Sequence, residues 1–278
     1  MSFGDEKYAP GKGRLTYGSY LKVPELLALQ QALSDPEHHD ELLFITIHQV
    51  YELWFKQILH ELDSVIKLLT DGDVWESIRL LRRCIEIQRI LVSQIQILET
   101  MTPHDFLAFR DRLQPASGFQ SAQFRQVEFL SGAKNRAYLS NYTDDGESTE
   151  ILERRLQSPT LVDAFYDLLR ARGFDLPRDE QGLSETDKEN RNEIRTSSLS
   201  RLYSEAKNHY DLYMLAEALI EYDENFLTWR DRHVRMVERM IGSKRGTGGS
   251  EGAEYLRRTL DKKFFPELWH VRTYLNNS

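Results

Sequence analysis

The chain has one cysteine, Cys84. A single thiol excludes an internal disulfide and any Cys-rich zinc or iron–sulfur site. No stretch of about 18 consecutive apolar residues occurs, so no transmembrane helix is expected. The first residues, MSFGDEK, lack the apolar core of a secretory signal, and the expectation is a cytoplasmic protein. Eight Pro and 15 Gly are few for an all-β chain of 278 residues. Lys and Arg total 36 against 44 Asp and Glu, a net charge of −8. That balance argues against nucleic acid or an anionic membrane as the main partner. Several catalytic signatures are also missing. HELDS at 60–64 begins like a zinc-protease motif but has no second histidine. One Glu-x-x-His, Glu267 to His270, is too few for a di-iron bundle. KRGTGG at 244–249 follows a helical pattern rather than a strand and is no phosphate loop. There is no G-x-S-x-G elbow.

What remains is helical periodicity. No segment alternates at period two, so the fold class is all-α, a helical bundle with long central helices. The strongest pattern covers 199–241. Leu212, Leu215, Leu219, Tyr222, Phe226, Trp229, His233, Val237 and Met240 recur at steps of three and four, a single apolar stripe. His233 stands in it where a Leu or Phe would be ordinary. A buried imidazole needs a hydrogen-bond partner or a metal. Alone, it reads as a satisfied core histidine. A Gly-rich stretch at 242–252 follows.

A second long helix is expected from Asp35, Pro36 and Glu37 to about Thr70, ending at Gly72. It carries one apolar stripe through Ile47, Ile58 and Leu62, and a second, aromatic one through Phe44, His48, Tyr51 and Phe55. A third runs from about Val74 to Thr100, with Trp75, Ile78, Leu81 and Ile85 among its core residues. A short helix begins at Thr102 and Pro103, and another covers 121–130. Short helices are expected at 25–33, 150–157 and 160–172, a loop at 141–148, and a polar stretch with almost no core residues at 174–197. A last helix starts near Ala253 and is interrupted by Pro266. His38 and His39 are expected to face solvent, and Cys84 to be a buried small hydrophobe. Read as one domain, 1–278, the chain has an N-terminal segment, 1–22, whose Tyr17 and Tyr20 are too aromatic for a solvated tail. Residues 132–197 read as a peripheral elaboration. Two histidines thus stand in unusual settings on two long helices. An apolar cleft with one histidine from each side is the plan of a haem pocket.

Four motifs point further. FITIHQVYELWFKQ at 44–57, PASGFQSAQFR at 115–125, WRDRH at 229–233 and GTGGS at 246–250 resemble, in order and spacing, those of the tryptophan 2,3-dioxygenases. The resemblance extends from Tyr17 to the last helix. It implies a helical homotetramer with one haem b, and so one iron, per subunit. It implies oxidation of L-tryptophan by O₂ to N-formylkynurenine. His233 matches the proximal iron ligand, and His48 the distal histidine facing the indole N–H. Arg110 matches the arginine that holds the substrate carboxylate, and Thr247 a contact to the amino-acid end. Phe44, Phe106 and Leu113 match the wall of the indole pocket. Tyr17 and Tyr20 match tyrosines that enter a neighbouring subunit's pocket. Without the resemblance, Arg110 reads as a surface arginine paired with Asp111 or Asp105. A haem sensor would share His233 but has no reason to keep Arg110, Thr247 and His48 together. The related indoleamine 2,3-dioxygenases lack the distal histidine.

Overall fold

The computed structural model describes residues 15–178, 184–247 and 252–275, and among them there are twelve α-helices, four 3₁₀ turns and no strand. Two short helices come first, α1 (Tyr17–Leu21) and α2 (Val23–Leu27). Three long helices form the frame: α3 (His39–Asp71), α4 (Val74–Leu98) and α10 (Tyr210–Ile241). At 33 residues, α3 is about 50 Å long. Gly72 ends it with φ +82°, a conformation that favours glycine, and its N–H closes on the Leu69 carbonyl. Asp73 then caps α4, so α3 and α4 form an antiparallel hairpin. The main core fills the seam, with Leu62, Val65, Leu81 and Cys84 fully buried beside Leu215 and Leu219 of α10. Both α3 and α10 pack along α4, while their own backbones stay apart and meet through side chains such as Tyr51 and Trp229. The space between them is closed by α5 (Pro103–Arg110) at one end and α6 (Ala122–Ser131) on the side.

The remaining helices are α7 (Gly146–Gln157), α8 (Leu161–Ala171), α9 (Glu185–Ser204), α11 (Ala253–Arg257) and α12 (Pro266–Val271). Phe165 and Leu169 bring α8 into the main core against α3. The segment after α11 returns to α10 through a buried carboxylate. Asp223 accepts the N–H groups of Phe264 and Phe265 and the indole N–H of Trp269, all at 3.0–3.1 Å. Among the described residues no helix is long and apolar enough to cross a membrane.

Several local expectations are corrected. The helix expected over 199–241 is two. Residues 205–209 turn between α9 and α10, and Asn208 N–H closes on the Glu205 carbonyl. The polar stretch before it is largely helix, and it is anchored: Phe174 and Leu176 are buried, Ser198 donates to the Asp175 carbonyl and Arg195 to that of Pro177. The Asp35–Pro36 peptide is cis, and α3 starts at His39 with His38 as its cap. Glu41 in the first turn takes the N–H groups of Leu33 and Ser34, which folds that segment back over the helix start. His38 is therefore half-buried against Phe109 rather than free in solvent. α2 stops at Leu27, well short of 33. Trp75 is 62% exposed, on the outer side of the first turn of α4. Asp145 caps α7 from Gly146, inside the expected loop. Pro266 begins α12 rather than breaking a helix.

Candidate active site

A cavity of about 290 Å³ lies between α3 and α10. Its walls are mainly apolar: Phe44 and Phe55 from α3, Ile95 and Leu98 from α4, Phe106 from α5, Val234 and Met240 from α10. His48 enters from α3 and His233 from α10, so the structure brings the two singled-out histidines into one chamber.

His48 Nδ1 lies 2.7 Å from the Phe44 carbonyl one turn back. A carbonyl only accepts, so Nδ1 carries the proton and donates. Nε2 is left as the acceptor on the other side of the ring. The His48 ring sits 4.1 Å from the Phe44 ring. Its body is packed by protein while its edge is open to the chamber, which makes it both desolvated and reachable. Burial lowers its pKa from the ordinary histidine value, against smaller raising effects of the Phe44 carbonyl and Glu52. His233 stacks on Trp229, centroids 5.1 Å apart and planes 9° from parallel. Burial, and then repulsion from His48, push its pKa down to about 4. No hydrogen bond contributes to that shift. Both imidazoles are thus neutral near pH 7. A neutral imidazole without a partner, facing an apolar space, is a vacant donor of a lone pair. Among the described residues no three His, Cys, Asp or Glu side chains gather around a common point.

The mouth of the chamber is polar. Arg110, the last residue of α5, donates through Nη2 to the Arg245 carbonyl. Asp105 is engaged instead in capping α5 with Thr102, so the salt bridge read for Arg110 alone is not the arrangement found. Thr247 Oγ1 donates to the Ala116 carbonyl at 2.7 Å. Arg110 and Thr247 both line the chamber, and their two bonds tie 245–247 to the α5–α6 connection. Residues 248–251 of the Gly-rich motif, like 1–14, lie outside the described residues. Phe106 lies on the wall, its ring 5.6 Å from that of Phe44. Leu113 packs in the same apolar cluster as Phe44 and Phe106. Tyr17 and Tyr20 are 79% and 70% exposed on α1 and do not reach this chain's chamber.

One polar group on the wall escaped the sequence reading: Arg125, Glu128 and Arg230. Glu128 accepts from Arg125 Nη1 and from Arg230 Nη2, the latter at 2.8 Å. The signal was there. Arg230 precedes His233 by three residues, one turn away on the same face, and Glu128 stands inside the apolar run Val127–Leu130.

Fold and site together define the class: an all-helical bundle built around an internal, aromatic-walled ligand chamber with a neutral imidazole on each side. Comparison with known proteins gives the family. The tryptophan 2,3-dioxygenase family matches over residues 4–181 and 178–275. A tryptophan 2,3-dioxygenase of Nocardioides sp. is 48% identical over 280 residues, covering 99% of this chain and 98% of that protein. One of Herpetosiphon aurantiacus is 48% identical over 261 residues, 94% of this chain and 98% of its own length. One of Myxococcus xanthus is 42% identical over 263 residues, 95% and 90% of the two chains. The chain belongs to the tryptophan 2,3-dioxygenase family.

Proposed function

We propose that this protein is a haem-dependent dioxygenase that adds both atoms of O₂ across the indole C2–C3 bond of L-tryptophan, giving N-formylkynurenine, the first step of tryptophan breakdown. The observation that carries the reading is the pair of neutral histidines facing one apolar chamber in a chain of this family. The donor set fits haem b. His233 offers an unshared imidazole lone pair, the stacked Trp229 fixes its plane, and the walls are apolar enough for a flat porphyrin. When bound, the haem supplies an open iron position at which O₂ is activated.

The other tasks fall to the chain. Phe44, Phe106 and Leu113, which pack in one apolar cluster, wall the indole. With Nδ1 committed to the Phe44 carbonyl, His48 Nε2 accepts the indole N–H and orients the ring. Orientation is the better role, because indole N–H is a very weak acid. Arg110 exchanges the Arg245 carbonyl for the substrate carboxylate, a stronger, charge-assisted partner. Thr247 contacts the amino-acid end. Both atoms of O₂ enter the single product, so no reductase is required in each turnover. The whole chain acts as a single domain in a homotetramer with one haem per subunit. The exposed Tyr17 and Tyr20 fit a role in a neighbouring subunit's chamber. Deleting residues 1–21 is therefore expected to weaken tryptophan binding and the tetramer while haem stays bound. An unchanged KM and solution mass would contradict that.

The test of the function is direct. The protein, purified with its Soret band, is reduced without oxygen and then given L-tryptophan and O₂. N-formylkynurenine should appear by mass and absorbance. A haem-loaded, reduced protein that yields none is no dioxygenase for tryptophan.

A further inference from the structure

One wall of the chamber holds two buried arginines joined through a single carboxylate. Arg125 and Arg230 are 4% and 3% exposed, and the one carboxylate between them is Glu128. Within that ion-pair cluster two guanidiniums share one carboxylate, so each has donors left over for a further acceptor. The other nearby carboxylates make no ion pair with these arginines and take their hydrogen bonds from neutral donors. Asp223 is filled by three N–H donors from 264–269, and Glu52 accepts from Gln123 at 2.8 Å. The two arginines are not equivalent. Arg230 spends its second nitrogen on the carbonyls of Thr259 and Lys262. Arg125 lies flat on the Tyr138 ring, 3.5 Å from its centroid, and its buried Nε has no hydrogen-bond partner. Both arginines line the same chamber as His48 and His233.

We propose that Arg125, braced by Glu128 against Arg230, takes a propionate carboxylate of the porphyrin, an inference that rests on the haem function proposed above. A carboxylate there pairs with the guanidinium and gives its unpartnered Nε an acceptor. Glu128 acts at one remove. It holds Arg125 in place and keeps Arg230, which anchors the segment after α11, on the same cluster.

The test compares haem with its dimethyl ester, in which both propionates are uncharged. Each is loaded into the protein, and its transfer to excess apomyoglobin is timed. The wild type is expected to release the ester on the order of tenfold faster or more, the scale of one charge-assisted hydrogen bond. Arg125→Leu should release haem and ester at the same rate. Equal release of the two by the wild type overturns the proposal, as does an Arg125→Leu protein that discriminates as the wild type does. If Arg125→Leu does not fold, Arg125→Lys decides. It should release haem faster with its ester rate unchanged, and unaltered rates for both overturn the idea. Absence of a Soret band from haem-treated wild type sinks the haem reading itself. A haem-loaded protein indifferent to esterification sinks this inference alone.

Discussion

The chamber has two cationic regions built on opposite principles. At the wall formed by α6 and α10, Arg125 and Arg230 share a carboxylate, are out of solvent and are fixed by side chains on two helices. At the mouth, Arg110 is half-buried, ends a short helix and is satisfied by a backbone carbonyl of the loop beside it. A charge pair sealed between helices resists rearrangement. A guanidinium on a neutral carbonyl gives up its partner readily when a carboxylate arrives. The first arrangement suits a resident group and the second a passing one.

The largest test of that contrast is Glu128→Ala. It leaves two buried guanidiniums without their shared partner, and breaking such a pair costs about 3–5 kcal/mol. Urea unfolding of the haem-free chain should show the loss. A change below about 1 kcal/mol would mean that water already serves these arginines.

Arg110→Ala should do the reverse. Its stability cost is expected within about 0.5 kcal/mol, because only a loop carbonyl loses a donor. The kcat/KM for L-tryptophan should fall on the order of 10²-fold, with haem content and ferrous spectrum unchanged. Tryptamine, which has no carboxylate, should lose much less. If both substrates lose equally, Arg110 acts through the fold and the contrast between the two ends disappears.

These two predictions also mark how far the sequence could be read. The helical periods located the three frame helices and placed His48 and His233 on faces that converge, because apolar spacing is a local property of each helix. Arg110 and Thr247 came from resemblance; their partners are main-chain carbonyls 135 and 131 residues away, which no local pattern encodes. The break at 205–209 was missed because the apolar steps bridge it. Trp75 was assigned to the core on hydrophobicity alone, although an exposed aromatic is ordinary on a protein surface.

A smaller effect is expected in the loop. Contacts from the amino-acid end to Arg110 and Thr247 would hold 245–247 in place, so protease cleavage at 242–247 should slow when L-tryptophan is added to the haem-loaded protein. Equal cleavage with and without the ligand counts against that contact.

The smallest effect distinguishes a carboxylate served by neutral donors from one served by arginines. Burial raises the pKa of Glu41, but the Ser34 hydroxyl and the N–H groups of Leu33 and Ser34 more than reverse it, leaving it below the ordinary value of 4.5. The folded state thus favours the ionised form. Its contribution to stability is present above about pH 4.5 and is lost as pH falls through the lowered value. Glu41→Gln should flatten that part of the stability–pH curve. An unchanged curve would show that Glu41 titrates alike in the folded and unfolded chain.

The carboxylate of Asp223 has a consequence for how the protein is made. On the ribosome, α10 emerges before the residues that satisfy it. A nascent chain still lacking 264–269 holds a helix whose core-facing side carries a bare anion, and burying that anion without donors is unfavourable. Closing the core around Asp223 is thus energetically coupled to docking of Phe264, Phe265 and Trp269: neither is favourable without the other.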